Sequence, residues 1–453
     1  MQAPASSPRP LWKTFLLFLG PLVLTNMLQA LSGTFNNIYV GQMLGIGALA
    51  AVAAFFPLLM LFVAFVIGLG SGASVLAGQA WGAQNIERVR AIAGTVICAG
   101  GLLGAAIGLL GFALAGPLLR LLGTPADVLP DAIAYARVMM LFLPLLFVSI
   151  LTASLLRGVS DNVTPLWSLV ISSAVILVLT PALIRGWTGL APLGVTSGAW
   201  ATVVATALSL AWMAWQLLRR RHPLAPDRAF SPYWRIQPTL LRPVVRLGIP
   251  TGLFFITGAL ADLALVSIVN SHGSQATAAW GAVSQVMAYV QFPAMSISIT
   301  ASVLAAQAIG AGRLEQVAAV TRVGLAMNVV LTGGLAVLAA LLAPHIVGLF
   351  ITDPQVVRLA ASLLHIAVWG AVLLGLGSVF SGVMRASGTV LVPTAISLSL
   401  LAFVLFPLGW TFDRVFGLPG IWMAHPTTYL IGLTLQAGYF YGVWKKKPLR
   451  RLA

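Results

Sequence analysis

Acidic side chains are scarce in this chain, and one of them occupies an unusual place. Only nine of the 453 residues are Asp or Glu. Asp262 alone lies midway along a long apolar run, in the stretch LADLALV. The other eight lie at the edges of apolar runs or in polar loops: Glu87, Asp127, Asp131, Asp161, Asp227, Glu315, Asp353 and Asp413.

The setting of Asp262 limits its chemistry. An isolated carboxylate at membrane depth costs several kcal/mol unless it is paired, hydrated or protonated. Apolar surroundings favour the protonated acid, so such a residue could bind and release protons. It could equally help to ligate sodium or attract a cationic compound. A carboxylate that only bonds a neighbouring helix remains the alternative interpretation.

Other polar residues inside apolar runs could complete a cavity around this acid. Their spacing places several on shared helix faces, such as Gln285 and Tyr289 at i and i+4. His365 and His425 also lie in apolar runs, and a histidine titrates near neutrality. Hydrogen bonding between helices is the competing interpretation for all of them. The candidate cavity residues are Asn26, Gln29, Asn36, Gln285, Tyr289 and His365.

The composition tells what kind of structure must position these residues. Hydrophobic residues make up 59% of the chain, charged residues 8%, and the mean hydropathy is +1.00. Soluble domains carry about 25% charged residues, so a soluble enzyme, a coiled coil and a disordered chain are excluded. The one cysteine, Cys98, excludes an intrachain disulfide and a cysteine-based zinc site. The sequence therefore predicts an all-α polytopic protein whose main partner is the lipid bilayer.

Twelve apolar runs are long enough to cross a membrane, which takes about 20 residues. Short polar breaks separate them. The predicted spans are 12–34, 47–71, 91–115, 132–155, 163–185, 194–218, 246–270, 276–305, 317–343, 356–382, 391–412 and 419–443.

Lys and Arg predict the orientation. The formal net charge is +16, but lysine occurs only at position 13 and in the run 445–447, near the two termini. With the amino terminus inside, 20 of the 25 basic residues fall on the inner side. That asymmetry is typical of a multi-pass plasma (inner) membrane protein with both termini in the cytoplasm. It also makes a nucleic-acid partner unnecessary as an explanation of the charge.

The chain repeats itself with an offset of 228 residues. Residues 73–87 read ASVLAGQAWGAQNIE, and residues 301–315 read ASVLAAQAIGAGRLE, with ten of fifteen positions identical. Arg157 and Pro165 match Arg385 and Pro393 at the same offset. Such agreement far exceeds chance and indicates an internal duplication.

A repeat of this length predicts two six-helix bundles. Six is even, so both halves enter the membrane in the same sense and a pseudo-two-fold axis along the membrane normal relates them. The predicted division is an amino-terminal half at 1–220, a cytoplasmic linker at 221–242 and a carboxy-terminal half at 243–453. Two halves that rock about a central cleft are typical of a secondary transporter.

Several motifs carry a resemblance to a known family. They are VGQMLG at 40–45, GQAWGA at 78–83, AQAIGA at 306–311, LRG at 156–158 and MRASG at 384–388. On this ordered set the chain resembles the multidrug and toxic compound extrusion (MATE) transporters. The resemblance implies a twelve-helix fold and a multidrug efflux antiporter for bulky, often cationic drugs or dyes, coupled to sodium or proton entry.

The sequence departs from that family where many members carry an acid. Many have an acidic residue in the first helix just before the VG motif, and here that position is Asn36. Some have a glutamate in the seventh helix about one turn before Asp262, and here that position is Gly258. Asp262 is therefore the residue expected to couple transport to the ion.

The alternatives are a flippase for lipid-linked saccharides, a membrane-embedded transferase and a passive channel. A flippase should carry a strongly basic cavity, whereas the predicted spans hold almost no Lys or Arg at mid-depth. A transferase needs paired acids or a metal cluster. The chain also lacks a phosphate-cradling G-x-x-x-x-G-K-[ST] motif. No enzyme activity, metal or cofactor is expected beyond the coupling ion.

Overall fold

The computed structural model describes residues 10–187, 189, 192–449 and 451–452, with the backbone alone for residues 34–37. These residues form helices and their connections, and none of them forms a β-strand. The long helices are α1 (Leu11–Leu44), α2 (Ile46–Gly82), α3 (Ile86–Leu121), α4 (Leu129–Gly158), α5 (Val163–Arg185), α6 (Ser197–Arg219), α7 (Pro238–Asn270), α8 (Ser274–Gly310), α9 (Glu315–Leu341), α10 (Pro354–Ala386), α11 (Leu391–Phe416) and α12 (Leu418–Gly442).

Each of the twelve predicted spans coincides with one of these helices, so the predicted fold class is confirmed. Eleven described helices are long and apolar enough to cross a membrane. The remaining one, α12, has 25 residues but is more polar, with His425, Thr428 and Gln436 inside it. The chain is therefore a multi-pass integral membrane protein whose last helix carries unusual polarity.

Several helices extend beyond the predicted spans because no helix-breaking residue ends them at the membrane edge. α2 continues to Gly82, and Gln84 then turns the chain with a φ of 59°. Asn85 caps α3 by accepting a hydrogen bond from the amide of Arg88 at 2.9 Å. Asp353 caps α10 in the same way, with Pro354 at its first position.

Two helices contain π-turns that the sequence pattern did not predict, at Asn328–Thr332 in α9 and Leu401–Leu405 in α11. Asn328 is fully buried, and its side-chain amide donates to the carbonyl of Val372 on α10 at 2.9 Å. Gly375 leaves the room for it, because a Cβ there would meet Asn328 Oδ1 at 2.0 Å. The widened turn is thus fixed by a side-chain bond to the neighbouring helix.

The duplication is visible in the backbone. α2 and α8 both have 37 residues, and their ends differ by 228 in number. Backbone turns with positive φ recur at the same offset, at residues 45 and 273, 84 and 312, 160 and 388, and 189 and 417. Glycine occupies most of these positions because a Cβ is strained there. The connections between helices were therefore duplicated along with the helices.

The chain packs as two compact units, and their limits fall inside α1 and α7. One unit, here the N-terminal unit, is Leu24–Gly252; the other, the C-terminal unit, combines the residues up to Val23 with Leu253–Ala453. The start of α1 belongs to the latter because Phe18 and Leu22 pack against Val303 of α8. The predicted division into the halves 1–220 and 243–453 and the linker 221–242 stays a prediction.

In the N-terminal unit, α3 presents a glycine-rich face to α4. A Cβ at Gly104 would meet Pro144 Cα at 2.8 Å, and one at Gly108 would meet the Met140 carbonyl oxygen at 2.4 Å. Small residues at four-residue spacing let helix backbones approach closely in a bilayer. This face supplies the packing that apolar burial alone cannot supply in lipid.

The connection between α6 and α7 is bound to α3. Pro238 begins α7, so residues 220–237 form the connection. Arg90 Nε donates to the Pro223 carbonyl at 3.0 Å, and the Thr95 hydroxyl donates to the Arg235 carbonyl at 3.3 Å. Phe230 is 2% exposed. This segment is therefore part of the folded unit.

His222 makes the attachment of this segment sensitive to pH. Burial lowers the pKa of His222 from its ordinary value of 6.5, and Arg220 acts in the same direction while Asp161 opposes it. The ring nitrogen Nδ1 accepts a hydrogen bond from the Leu224 amide at 3.2 Å, which requires a neutral imidazole. The folded segment binds protons less readily than the opened one. Its stability is complete above pH 6.5 and declines as pH falls through the folded pKa.

We expect hydrogen exchange at the Leu224 amide to accelerate below pH 6.5, after correction for the intrinsic rate. The loss of one hydrogen bond is worth on the order of 1 kcal/mol, or about a fivefold faster exchange. His222→Gln keeps an acceptor but does not titrate, so its exchange should not depend on pH in this way. Equal acceleration in both proteins would show that another group opens the segment.

Candidate functional site

Asp262 lies on α7 and faces a histidine of α12. Its side chain is 66% exposed, and Oδ1 lies 3.6 Å from Nε2 of His425, whose side chain is 12% exposed. Both residues belong to the C-terminal unit, although 163 positions separate them in the chain. The distance is too long for a direct hydrogen bond but short enough for an ion pair. The half-buried imidazole of His425 thus has an accessible carboxylate as its neighbour.

Aromatic rings surround His425. The ring centroids of Trp280, Trp422 and Tyr429 lie 6.0, 5.8 and 6.1 Å from that of the imidazole. Trp280 of α8 and Trp422 of α12 are themselves packed at 4.2 Å. His425 is thus packed among aromatic side chains of α8 and α12.

The same part of α12 carries buried polar atoms without a hydrogen-bond partner among the described residues. They are Trp422 Nε1, His425 Nδ1 and Thr428 Oγ1, which follow one another at intervals of three residues. Trp422 and Thr428 are 3% and 1% exposed. Residues at this spacing lie along one side of a helix. α12 therefore offers a line of unused donors and acceptors beside the acid.

Local packing keeps this part of α12 in place. Pro426 follows His425 and has no amide hydrogen, so the Trp422 carbonyl lacks its usual helical donor. Gly370 of α10 faces this proline, since a Cβ there would lie 3.5 Å from Pro426 N and 3.4 Å from Tyr429 Cδ2. The absence of a side chain at Gly370 allows the two helices to approach.

The other predicted cavity residues have varied surroundings. In the C-terminal unit, Gln285 is exposed, and Tyr289 is half-buried against Phe292 with ring centroids 5.9 Å apart. His365 is exposed, and its Nδ1 lies 2.6 Å from the carbonyl oxygen of Ala361 in its own helix. Of the two intramembrane histidines, His425 rather than His365 faces the acid.

The predicted residues of the first helix belong to the N-terminal unit. Asn26 is half-buried and Gln29 is exposed. The Ser32 hydroxyl lies 2.5 Å from that of Ser173 on α5. Asn36 falls within α1, but its side chain lies outside the described residues. The roles assigned to Asn26, Gln29 and Asn36 stay predictions.

A second acid–histidine pair was missed by sequence reasoning. His272, in the turn between α7 and α8, places Nε2 2.6 Å from Asp413 Oδ1 near the end of α11. The two side chains are 32% and 18% exposed. Only the proximity of both residues to predicted helix ends could have suggested the pair. It ties the turn between α7 and α8 to the end of α11.

The chemistry available at the Asp262–His425 pair is that of one carboxylate and one imidazole. Such a pair can hold one or two protons, and its carboxylate can attract a cation. Among the described residues, no group of three or more His, Cys, Asp or Glu side chains could hold a metal ion. The arrangement therefore suits ion or proton exchange at the surface of the C-terminal unit.

Comparison with known proteins adds to this geometry. The sequence profile of the MatE family matches residues 21–182 and 250–411, one segment in each half. The Bacillus subtilis (strain 168) protein named Probable multidrug resistance protein YoeA is 39% identical over 97% of this chain and 96% of its own length. A second protein of that organism, Probable multidrug resistance protein YpnP, is 26% identical over 96% of both chains.

A solved structure shares the fold. It shows a multidrug resistance MATE family transporter of the MOP superfamily in an outward-facing conformation. Its TM-score is 0.87 and its identity 21%, with 96% of this chain and 97% of that chain covered. The agreement confirms the predicted twelve-helix architecture.

Proposed function

The chain belongs to the MatE family, and from this premise we propose that it is a cation-coupled multidrug efflux antiporter that works by alternating access. Its substrates are bulky, often cationic drugs or dyes, which leave the cell as protons or sodium ions enter. Asp262 is the residue at which the coupling ion binds. Ion binding shifts the balance between inward-open and outward-open states by its differential affinity for them.

One observation supports the proposed role of Asp262. The side chain is 66% exposed although it lies within a membrane-spanning helix, eight residues from the end of α7 at Asn270. Eight residues of helix measure about 12 Å, so Asp262 lies halfway between the centre of α7 and its carboxy-terminal end, within the apolar sequence of the helix. A carboxylate at that depth is too costly to expose to lipid. The exposed side chain of Asp262 therefore requires a surface that water or substrate wets, and this supports a functional role for the residue.

The basic residues support the orientation of this transporter. The 20 to 5 division supports a topology with both termini in the cytoplasm and a location in the plasma (inner) membrane. Asp262 and His425, near the end of α7 and the start of α12, then lie towards the outer side.

The alternative function is a flippase for lipid-linked saccharides. The names of the two Bacillus subtilis relatives lend no support to it.

Dye transport in proteoliposomes tests the proposal. A proton gradient and a sodium gradient are imposed separately on the wild type and on Asp262→Asn. One gradient should drive dye accumulation in the wild type, and the variant should lose at least about tenfold in gradient-driven rate, equivalent to about 1.4 kcal/mol. Normal transport by the variant would remove Asp262 from the coupling step. No dye movement under either gradient would overturn drug export.

Asp353→Asn is the matched control. It makes the same acid-to-amide change, but Asp353 is the N-cap of α10 and accepts from the Gln355 amide at 2.8 Å. Asparagine caps helices about as well as aspartate. This variant should therefore fold and transport as the wild type does, and size-exclusion profiles should match for all three proteins.

A further inference from the structure

We propose that a groove between α11 and α12 binds an anionic phospholipid of the cytoplasmic leaflet. An acyl chain lies in the groove, and the headgroup lies beside Lys445, Lys446 and Lys447. This inference goes beyond the proposed function and takes from it only the orientation of the chain. The groove and the three lysines both belong to the C-terminal unit.

The groove is apolar and open. It has a volume of about 670 Å³, and its lining consists of eight residues of α11 and two of α12. Of these ten residues, only Ser399 is polar. Leu391, Phe403 and Leu435 in the lining are 60%, 76% and 48% exposed. An apolar surface of this kind calls for a hydrocarbon partner, because water covers it poorly.

Contacts between the two helices fix the groove in place. Gln436 of α12 is 3% exposed, and its Nε2 donates to the Pro393 carbonyl at 2.9 Å and to the Ser397 hydroxyl at 3.3 Å. A Cβ at Gly432 of α12 would lie only 3.1 Å from Leu400 Cδ1 of α11. The groove therefore follows a line along which α11 and α12 are held together.

The length of the groove suits one acyl chain. Its lining on α11 runs from Leu391 to Val404, a rise of about 20 Å in a helix. One leaflet contributes about 15 Å, half of the hydrocarbon core. The π-turn Leu401–Leu405 lies at the inner end of the groove. A chain that enters at the start of α11 can thus lie in the groove over its whole length.

The carboxy-terminal tail lies near the start of α11. Trp444 is 3% exposed, and its Nε1 donates to the Ser387 hydroxyl at 3.0 Å, four residues before Leu391. A Cβ at Gly388 would lie 2.9 Å from Cδ2 of Leu452 in the tail. These contacts hold the lysines that follow Trp444 near the end at which the groove begins.

The charge of the tail suits an anionic headgroup. Residues 445–451 contain five Lys and Arg and no acid, and the three lysines are exposed. Neither of the two ion pairs among the described residues involves a lysine. Lys445 and Lys447 place Nζ 5.8 Å from the ring centroids of Tyr441 and Tyr439. Basic clusters that follow a membrane helix attract anionic lipids, and aromatic residues there lie at headgroup level.

Native mass spectrometry of the purified full chain is the first test. Phosphatidylglycerol is the anionic probe, and phosphatidylcholine with the same acyl chains is the neutral one. The wild type should bind phosphatidylglycerol at least about tenfold more tightly, and the combined variant Lys445→Gln, Lys446→Gln and Lys447→Gln should lose this preference. Equal affinity of the wild type for both lipids would overturn the proposal.

A variant of α6 is the matched control for charge. Arg219→Gln, Arg220→Gln and Arg221→Gln together remove three exposed positive charges from the N-terminal unit. This variant should keep the preference for phosphatidylglycerol. If it loses the preference as the lysine variant does, net charge rather than the groove attracts the lipid, and the proposal fails.

Ala395→Trp tests the groove itself, because Ala395 belongs to its lining and a large ring there would occupy the place of the acyl chain. The variant should bind phosphatidylglycerol at least about tenfold more weakly than the wild type. Ala326→Trp makes the same change at an exposed alanine of α9 outside this lining and should bind as the wild type does. Wild-type binding by Ala395→Trp would contradict the proposal.

Photolabelling of the wild type decides if these variants do not fold. Phosphatidylglycerol with a diazirine in one acyl chain should label residues within 391–404 or 431–435, and unlabelled phosphatidylglycerol should prevent this. Labels only elsewhere would overturn the proposal, and so would labels in the groove that a dye displaces but phosphatidylglycerol does not. None of these measurements depends on transport, so they stand or fall separately from the proposed drug export.

Discussion

Gly70→Ser is expected to destabilise the protein strongly, and a second change, Ser154→Gly, is expected to restore much of the loss. Gly70 lies on α2, and a Cβ there would meet the Ser154 hydroxyl oxygen at 2.4 Å and its Cβ at 3.0 Å. Ser154 itself is held on α4, since its hydroxyl donates to the Ile150 carbonyl and accepts from Arg157 Nη2, both at 2.9 Å.

The duplicated half shows the exchanged arrangement. The residues 228 positions later are Ser298 on α8 and Gly382 on α10, so serine and glycine have changed helices. The Ser298 hydroxyl donates to the Ser378 carbonyl at 2.6 Å, and Ser378 corresponds to Ile150. A Cβ at Gly382 would meet the Ser298 carbonyl oxygen at 2.7 Å. Each helix pair has room for one hydroxyl, and either helix can carry it.

The expected changes in the free energy of unfolding follow from the packing of α2 against α4. A side chain forced into a closed helix interface costs about 1–3 kcal/mol. Ser154→Gly alone costs about 1 kcal/mol through the helix and also removes the acceptor of Arg157. The double variant reproduces the pattern of the other half, so the two changes should couple favourably by about 1–3 kcal/mol.

Unfolding midpoints of the four proteins in detergent measure this coupling. Gly101→Ser combined with Ser154→Gly is the control, since a Cβ at Gly101 makes only an ordinary 3.5 Å contact with Val148. Those two changes should add without coupling. If the Gly70 and Ser154 changes also add without coupling, the two positions do not compete for the same space.

The architecture could be predicted because it depends on features that persist along the sequence. Long apolar runs must become helices in lipid, where every backbone polar group needs an internal partner. The repeat at 73–87 and 301–315 then relates the two halves whatever their details. The extra helical turns of α2 and the π-turn at Asn328 depend on single contacts, such as the space at Gly375. No pattern in the sequence predicts such contacts.

The candidate site could be predicted only in part. Asp262 stands out in the sequence because its residue type conflicts with its surroundings. Its partner His425 does not stand out in the sequence, because His425 and His365 are each a single histidine in a long helix. Spacing along the chain also cannot predict that residues 262 and 425 lie side by side. The signal available was the polarity of α12, where Trp422, His425 and Thr428 share one side.

Gly420→Ala is expected to damage both stability and transport, although it adds a single methyl group. Gly420 lies in the first turn of α12, where a Cβ would meet the Phe412 carbonyl oxygen of α11 at 2.1 Å and its carbonyl carbon at 2.4 Å. Backbone atoms cannot rotate away, so α12 must shift against α11, at a cost of about 1–3 kcal/mol. His425 lies five residues later on that helix, and the shift should change its distance from Asp262.

Gly438→Ala makes the same change in the same helix, but it is expected to leave the stability of the protein unchanged or to raise it. A Cβ there meets no atom within 4 Å. Replacing a helical glycine by alanine stabilises a helix by up to about 1 kcal/mol, so this variant should unfold at the same temperature or higher. Gradient-driven dye transport should fall in Gly420→Ala and not in Gly438→Ala. Equal transport by both would mean that α12 can slide without disturbing the Asp262–His425 pair, and the position of α12 would then not control coupling.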